Sequence, residues 1–141
     1  MDLDFAVLAD GVTGRSDGKL DIYGAGFDTI FAPAVPALHP RLVLAVRILI
    51  SQHEGEHDHR VDVVLQGADG VELARAHTEL APLPDDMRAA IEPGRQLGLG
   101  MLLNFENVIF PEYGSYQLAI HWDGNEARAP LRLFVLTPPT S

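Results

Sequence analysis

The chain has 141 residues, of which 47% are hydrophobic, no cysteine, and a formal net charge of −10 at pH 7. This length and composition suit one domain with a substantial core and exclude an intrinsically disordered chain. The acidic balance argues against nucleic-acid binding, which needs clustered Lys and Arg, and the lack of cysteine excludes disulfides, thiolate nucleophiles and cysteine-ligated zinc.

No targeting or membrane segment is predicted. The first residues, MDLDFAVLAD, carry acids and only a short apolar run, unlike a signal peptide. The longest apolar run, 42–50, contains Arg47 and is far shorter than a membrane span. We therefore expect a cytoplasmic protein with neither a membrane nor a nucleic acid as partner.

The first third of the chain shows the two-residue period of strands. Apolar and polar side chains alternate over 3–9, which predicts a strand. A second strand is predicted over 19–31, with a bulge or close backbone approach at Gly24 and Gly26. Three prolines within 32–40 indicate a crossing loop or a sheet edge, because proline lacks a ladder donor.

The segment 42–50 is apolar on both faces. One face carries five large side chains, and the other is partly apolar as well, at Val43, Ala45 and Leu49. This pattern is typical of a central strand, or of a strand whose outer face meets a partner. The inward residues are Leu42, Leu44, Val46, Ile48 and Ile50.

The second half of the chain continues as strands. Segments 60–67 and 71–80 flank the turn sequence ADG and predict a hairpin, with Val61, Val63 and Leu65 inward. Prolines then bound a short helical turn expected near 84–91, with Asp85 as a candidate cap. Further strands are predicted at 97–110, 115–122 and 126–136, and the sequence DGN after the second of them predicts a tight turn.

The strand at 115–122 gives a specific prediction of side-chain orientation. Leu118 and Ile120 are expected in the core, because alternate residues of a strand point to one face. Gln117 and Ala119 are expected to point outward and to tolerate polar substitution.

These elements predict an all-β fold. About eight strands separated by turns indicate a single-domain antiparallel β-sandwich, immunoglobulin-like or C2-like, with at most one short helical turn. The domain is expected to cover residues 1–137, and 138–141 to form a flexible tail.

The order of these elements resembles a family of small uncharacterised bacterial proteins. The resemblance lies in DFAVLADGV, in DGKLDIYGAGFDTIFAPAVPALHP, and in YGSYQLAIHWDGNE followed by PLRLFV, and it covers nearly the whole chain. These are strand and turn motifs, so the resemblance implies a fold and carries over no catalytic residue. It also implies that Gly55, Glu56 and His57 lie at the turn between two long strands.

The stretch SQHEGEHDHRV, residues 51–61, concentrates histidines and acids. His57 and His59 share one face of an extended chain, and His53 lies across the turn at Gly55. Imidazoles with a carboxylate suit Zn, Ni or Cu, so His53, His57 and His59 are candidate metal ligands. The competing and preferred interpretation is an exposed hairpin tip that is dispensable for folding.

Other chemistry has weaker support in the sequence. Asp85 and Asp86, together with Asp10, Asp17 or Asp21, are candidate ligands of a calcium site in the loops, although their spacing fits no loop motif. A carboxylate-dependent hydrolase remains open, because any of the 20 acids qualifies. No cofactor motif is found, since GAGFDT lacks the third glycine of a dinucleotide fingerprint.

The sequence therefore favours a non-catalytic β-sandwich module that acts through a protein partner or as a homo-oligomer. The two-faced apolar segment 42–50 and the outward Phe134 and Leu136 are its basis. The alternative is a metal- or small-ligand-binding protein that uses the histidines at 53–59 or the acidic loops.

Overall fold

The computed structural model describes residues 1–126 and 130–139. Its strands are β1 (Asp2–Ala9), β2 (Gly11–Gly14), β3 (Leu20–Tyr23), β4 (Thr29–Phe31), β5 (Ala37–Ser51), β6 (His59–Gly67), β7 (Glu72–Leu80), β8 (Gln96–Phe110), β9 (Gly114–Trp122), β10 (Asn125–Glu126) and β11 (Leu131–Leu136). The helices are a 3₁₀ turn (Glu54–Glu56) and α1 (Asp85–Ala89). Strands make up 62% and helices 6% of the structure, so the all-β prediction is confirmed.

Two main sheets carry the fold. The smaller has the order β1-β5-β8, and the larger has the order β4-β11-β9-β6-β7, with β10 beside β9. The strands β2 and β3 form a separate antiparallel pair. The predicted hairpin is confirmed as β6 and β7, and the short helical turn as α1, which begins at Asp85 without a side-chain cap.

The main core lies between the two sheets. The face of β5 that begins at Leu42 belongs to one buried cluster with Val63 of β6 and Leu133 of β11. Leu118 and Ile120 of β9 are fully buried in the same cluster, as predicted. Ala119 is on the opposite face, as predicted, but it is buried (7% exposed), so we no longer expect it to tolerate polar side chains.

The outer face of β5 is covered by the chain itself. Val43 and Ala45 are fully buried in a second cluster with Val12 of β2, against which Leu20 and Ile22 of β3 pack. Of the two alternatives for 42–50, the central strand is therefore right, because β5 lies between β1 and β8 under the β2–β3 pair. The alternative that this face meets a partner is wrong.

The single strand predicted over 19–31 is divided between two sheets. Gly24 and Gly26, with φ of 61° and 89°, mark the break between β3 and β4. The Asp10 carboxylate occupies the place that a Cβ on Gly24 would take, so the close approach predicted there is present. Beyond the break, β4 pairs with β11 in parallel, so the purely antiparallel prediction is wrong at this edge.

The number of strands also exceeds the prediction. The described residues contain eleven strands rather than about eight, because β2 and β10 are additional short strands and the strand predicted over 19–31 is divided into β3 and β4. Part of the strand predicted at 126–136, residues 127–129, and the end of the tail predicted at 138–141 lie outside the described residues.

Strand register places the connections at two opposite ends. One end gathers the connections from β4 to β5, from β6 to β7 and from β8 to β9. The other end gathers the connections from β5 to β6 and from β9 to β10, together with α1, whose Arg88 carbonyl accepts a hydrogen bond from Gln52 (3.2 Å). These two ends carry the surfaces that bear on function.

Candidate functional site

Residues 52–58, here called the histidine loop, connect β5 to β6. These strands belong to different sheets, so the loop crosses from one sheet to the other. The predicted hairpin tip between paired strands is therefore wrong. Because the connection passes over the rim of the core, it makes contacts that an exposed tip lacks.

Reciprocal hydrogen bonds close the start of the histidine loop. The backbone N–H of Ser51 donates to Glu54 Oε1 (3.0 Å), and the backbone N–H of Glu54 donates to Ser51 Oγ (3.2 Å). The Glu54 carboxylate also pairs with the N-terminal ammonium of Met1. Burial raises the pKa of Glu54, but hydrogen bonds from that ammonium and from Ser51 outweigh burial and lower the pKa to about 2.

This Ser51–Glu54 pair has the S-x-x-E spacing of a capping box, which signals the start of a helical turn. The 3₁₀ turn Glu54–Glu56 follows it. No helical turn was predicted here, although the letters SQHE contain the signal. A fixed turn thus stands where an exposed tip was expected.

Gly55 fixes the centre of the histidine loop. It is buried, and its carbonyl accepts a hydrogen bond from the backbone N–H of Leu83 (2.8 Å). A Cβ at position 55 would lie 2.9 Å from Leu83 Cδ1, closer than side-chain atoms pack. An alanine at this position would have to displace the end of the Leu83 side chain, and the backbone hydrogen bond holds the loop against the segment before α1.

His59 joins the histidine loop to the turn after β9. Its Nδ1 lies 2.8 Å from Asp123 Oδ2, and its Nε2 lies 2.6 Å from the Glu54 carbonyl oxygen. The other carboxylate oxygen of Asp123 accepts the backbone N–H of Arg60 (3.0 Å). Asp123 (φ 50°) and Gly124 (φ 82°) form the predicted tight turn, which aims the carboxylate back at β6.

Both partners of the His59 ring, the Asp123 carboxylate and the Glu54 carbonyl, are acceptors, and this arrangement favours the imidazole with both nitrogens protonated. Burial lowers the pKa of His59, but the hydrogen bonds to Asp123 and to the Glu54 carbonyl outweigh burial and raise it. Burial raises the pKa of Asp123, but the hydrogen bonds from His59 and Arg60 outweigh burial and lower the pKa. His59 therefore has no nitrogen left for a metal.

The two other histidines of the predicted set do converge. His53, Glu56 and His57 each offer one ligand atom, and these atoms lie within 4.8 Å of one another on the exposed side of the 3₁₀ turn. His53 Nδ1 is 3.4 Å from Glu56 Oε2, and the two imidazole rings meet edge to face with centroids 5.3 Å apart. Glu56 thus takes the place that His59 had in the predicted set.

Within the described residues, the acids considered as a calcium alternative form no group of three ligands. Among the residues that the structure describes, only His53, Glu56 and His57 bring three His, Asp or Glu ligand atoms so close. Two segments of the predicted acidic set bind arginines of their own: Asp85 contacts Arg88 (2.8 Å) and Asp17 contacts Arg15 (2.9 Å).

The opposite end of the molecule is apolar. Of the nine large hydrophobic side chains that are exposed among the described residues, six lie at this end, here called the apolar end: Phe31, Leu38, Val71, Ile109, Tyr113 and Leu136. Phe31 pairs with Leu136 across β4 and β11, and Leu38 pairs with Ile109 across β5 and β8. Val71 and Tyr113 line one shallow cavity of about 380 Å³.

Only part of the apolar end was visible in the sequence. Leu136 was predicted on an outer face and is 43% exposed, whereas Phe134 is half-buried. Leu38, in the segment predicted to be a crossing loop or a sheet edge, is 60% exposed, and Ile109, in the strand predicted at 97–110, is 58% exposed. In β8 the buried residues are odd-numbered up to Phe105. At Asn107 (φ 53°) the alternation shifts by one residue, so that Val108 and Phe110 are buried. Ile109 and its partner Leu38 therefore point outward.

Comparison with known proteins places the chain in a family. A family model described as a family of unknown function (DUF6941) matches residues 4–134. No curated protein matches the chain. In the described part of the chain, no helix has the length and apolar character needed to cross a membrane.

Proposed function

Because the chain belongs to the family of unknown function DUF6941, we propose its function from its own surface: a non-catalytic cytoplasmic module that binds protein through the apolar end. The partner that we propose is a second copy of the chain. The observation that carries this proposal is that six of the nine exposed large hydrophobic side chains among the described residues lie at one end. Single exposed apolar residues are ordinary, but a group of them marks an interaction surface.

Self-association suits this surface. In a two-fold dimer the same patch lies on both subunits, so each apolar end meets another apolar end. Exposed acids such as Asp69 and Glu112 flank the cavity at this end and would form a polar rim. Because each copy carries a net charge of −10, salt should strengthen the association by screening repulsion.

The finer architecture belongs to the same proposal. We take the two main sheets as the layers of a β-sandwich. Tyr116 supports this, because its hydroxyl donates to the Glu112 carbonyl (2.5 Å) and accepts the Glu112 N–H (3.2 Å), as the tyrosine of a sandwich corner does. The ring also packs edge to face on Phe110, with centroids 5.0 Å apart, at the connection from β8 to β9.

Solution mass tests the proposal. Light scattering across a concentration series should show the wild-type mass rising from 15.3 kDa toward twice that value, more readily at higher salt. The double variant Leu38→Ser with Ile109→Ser should stay monomeric, because it removes an exposed apolar pair without touching the core.

Met87→Ser is the matched control. Met87 is 44% exposed but lies on α1, at the other end, so this variant should associate like the wild type. A wild type that remains monomeric at every concentration would overturn self-association. Equal loss of association in the control and the double variant would overturn the assignment to the apolar end.

A further inference from the structure

We propose that His53, Glu56 and His57 form a binding site for one divalent transition metal of the Zn²⁺ class. Metal bonds of about 2.1 Å to nitrogen or oxygen put tetrahedral ligand atoms about 3.4 Å apart. His53 Nδ1 and Glu56 Oε2 already have a separation of 3.4 Å, and all three ligand atoms lie within 4.8 Å. Side-chain rotation alone therefore closes the site.

The backbone presents these ligands on one side. His53 and Glu56 are three residues apart, and side chains at i and i+3 eclipse in a 3₁₀ turn. The Glu56 N–H donates to the His53 carbonyl (3.1 Å), and the His57 N–H donates to the Glu54 carbonyl (3.3 Å). The same turn therefore also places His57, the third ligand, near His53 and Glu56.

The turn is a fixed platform. The reciprocal hydrogen bonds between Ser51 and Glu54 fix its start. The Gly55 carbonyl is hydrogen-bonded to the backbone of Leu83, and the Glu54 carbonyl is hydrogen-bonded to His59. None of these contacts uses the three ligand side chains, which are exposed. Preorganised ligands bind tighter, because less conformational entropy is lost on binding.

The donor set selects the metal. Two imidazoles with one carboxylate suit Zn²⁺ and its neighbours, whereas Ca²⁺ and Mg²⁺ prefer oxygen ligands. A fourth position faces solvent, because the group is exposed. The site lies at the opposite end from the apolar end, so it stands independently of the proposed self-association.

Calorimetric titration of the full chain with Zn²⁺, after chelator treatment, tests the site. The wild type should bind one equivalent, and His57→Ala or Glu56→Gln should weaken binding at least about tenfold, which is about 1.4 kcal/mol. Mg²⁺ in excess should not compete.

The matched control is His77→Ala, an exposed histidine on β7 outside the group. It should bind Zn²⁺ like the wild type. If the wild type gives no binding heat with a stoichiometry of one Zn²⁺ per chain, the proposal is overturned. So would wild-type binding by His57→Ala, or equal weakening by His77→Ala, since each would place the ion on other surface histidines.

Discussion

Leu118→Ala should lower the free energy of unfolding by about 2–5 kcal/mol, the range found when a leucine is removed from a packed core. Leu118 is fully buried on β9, between β6 and β11, in the cluster that joins the two main sheets. The loss combines the transfer free energy of the missing carbons with the cavity they leave. Urea unfolding monitored by circular dichroism gives the value.

Gln117→Ser, the neighbouring position on the other face of β9, is the control. Gln117 is half-exposed, and its replacement should change the free energy of unfolding by less than about 0.5 kcal/mol. Equal midpoints for the two variants would contradict the packing described for β9.

His59→Ala should lower the free energy of unfolding by about 2 kcal/mol, because hydrogen bonds to charged groups contribute about 1.5–3 kcal/mol. The lower part of that range applies because the Asp123 side chain is 43% exposed. Thermal unfolding in the presence of chelator isolates this effect from metal binding. His53→Ala, whose side chain is 81% exposed, should leave stability unchanged under the same conditions.

The contribution of His59 should depend on pH. The pKa of His59 is raised above its ordinary value of 6.5 in the folded chain. Its stabilisation is therefore complete below pH 6.5 and is lost as pH rises through the folded-state pKa. The difference in stability between the wild type and His59→Ala should shrink on the alkaline side. A stability difference that grows at alkaline pH would contradict the proposed role of the hydrogen bonds from His59 to Asp123 and to the Glu54 carbonyl.

The sequence was most informative where a local pattern decides the structure. Alternation placed Leu118 and Ile120 inward, and DGN identified the turn at Asp123-Gly124, because side-chain direction and turn conformation depend on adjacent residues. The membership of β4 in the larger sheet depends on pairing with β11, about a hundred residues later. No local pattern encodes such a pairing.

The same limit applies to the candidate sites. The histidines were recognised as candidate ligands, but the group that they form was not predicted. That group depends on a turn hydrogen-bonded to Leu83 and on the contact of His59 with Asp123. Most of the apolar end was not predicted, because no exposure was assigned to Leu38 or Phe31 from the sequence, and their exposure depends on neighbours that are distant along the chain. The two-faced character of 42–50 pointed to a partner, whereas β2 and β3 cover that face.

Disulfide trapping of single-cysteine variants tests most directly whether two apolar ends meet. The chain has no cysteine, so Phe31→Cys, Ile109→Cys and Leu136→Cys each place one thiol at the apolar end. Asp58→Cys places an exposed thiol in the histidine loop as the control. Under mild oxidation, at least one apolar-end variant should give linked dimer faster than the control, because a two-fold contact brings equivalent residues together. If none of the three exceeds Asp58→Cys, the apolar end is not the contact between copies.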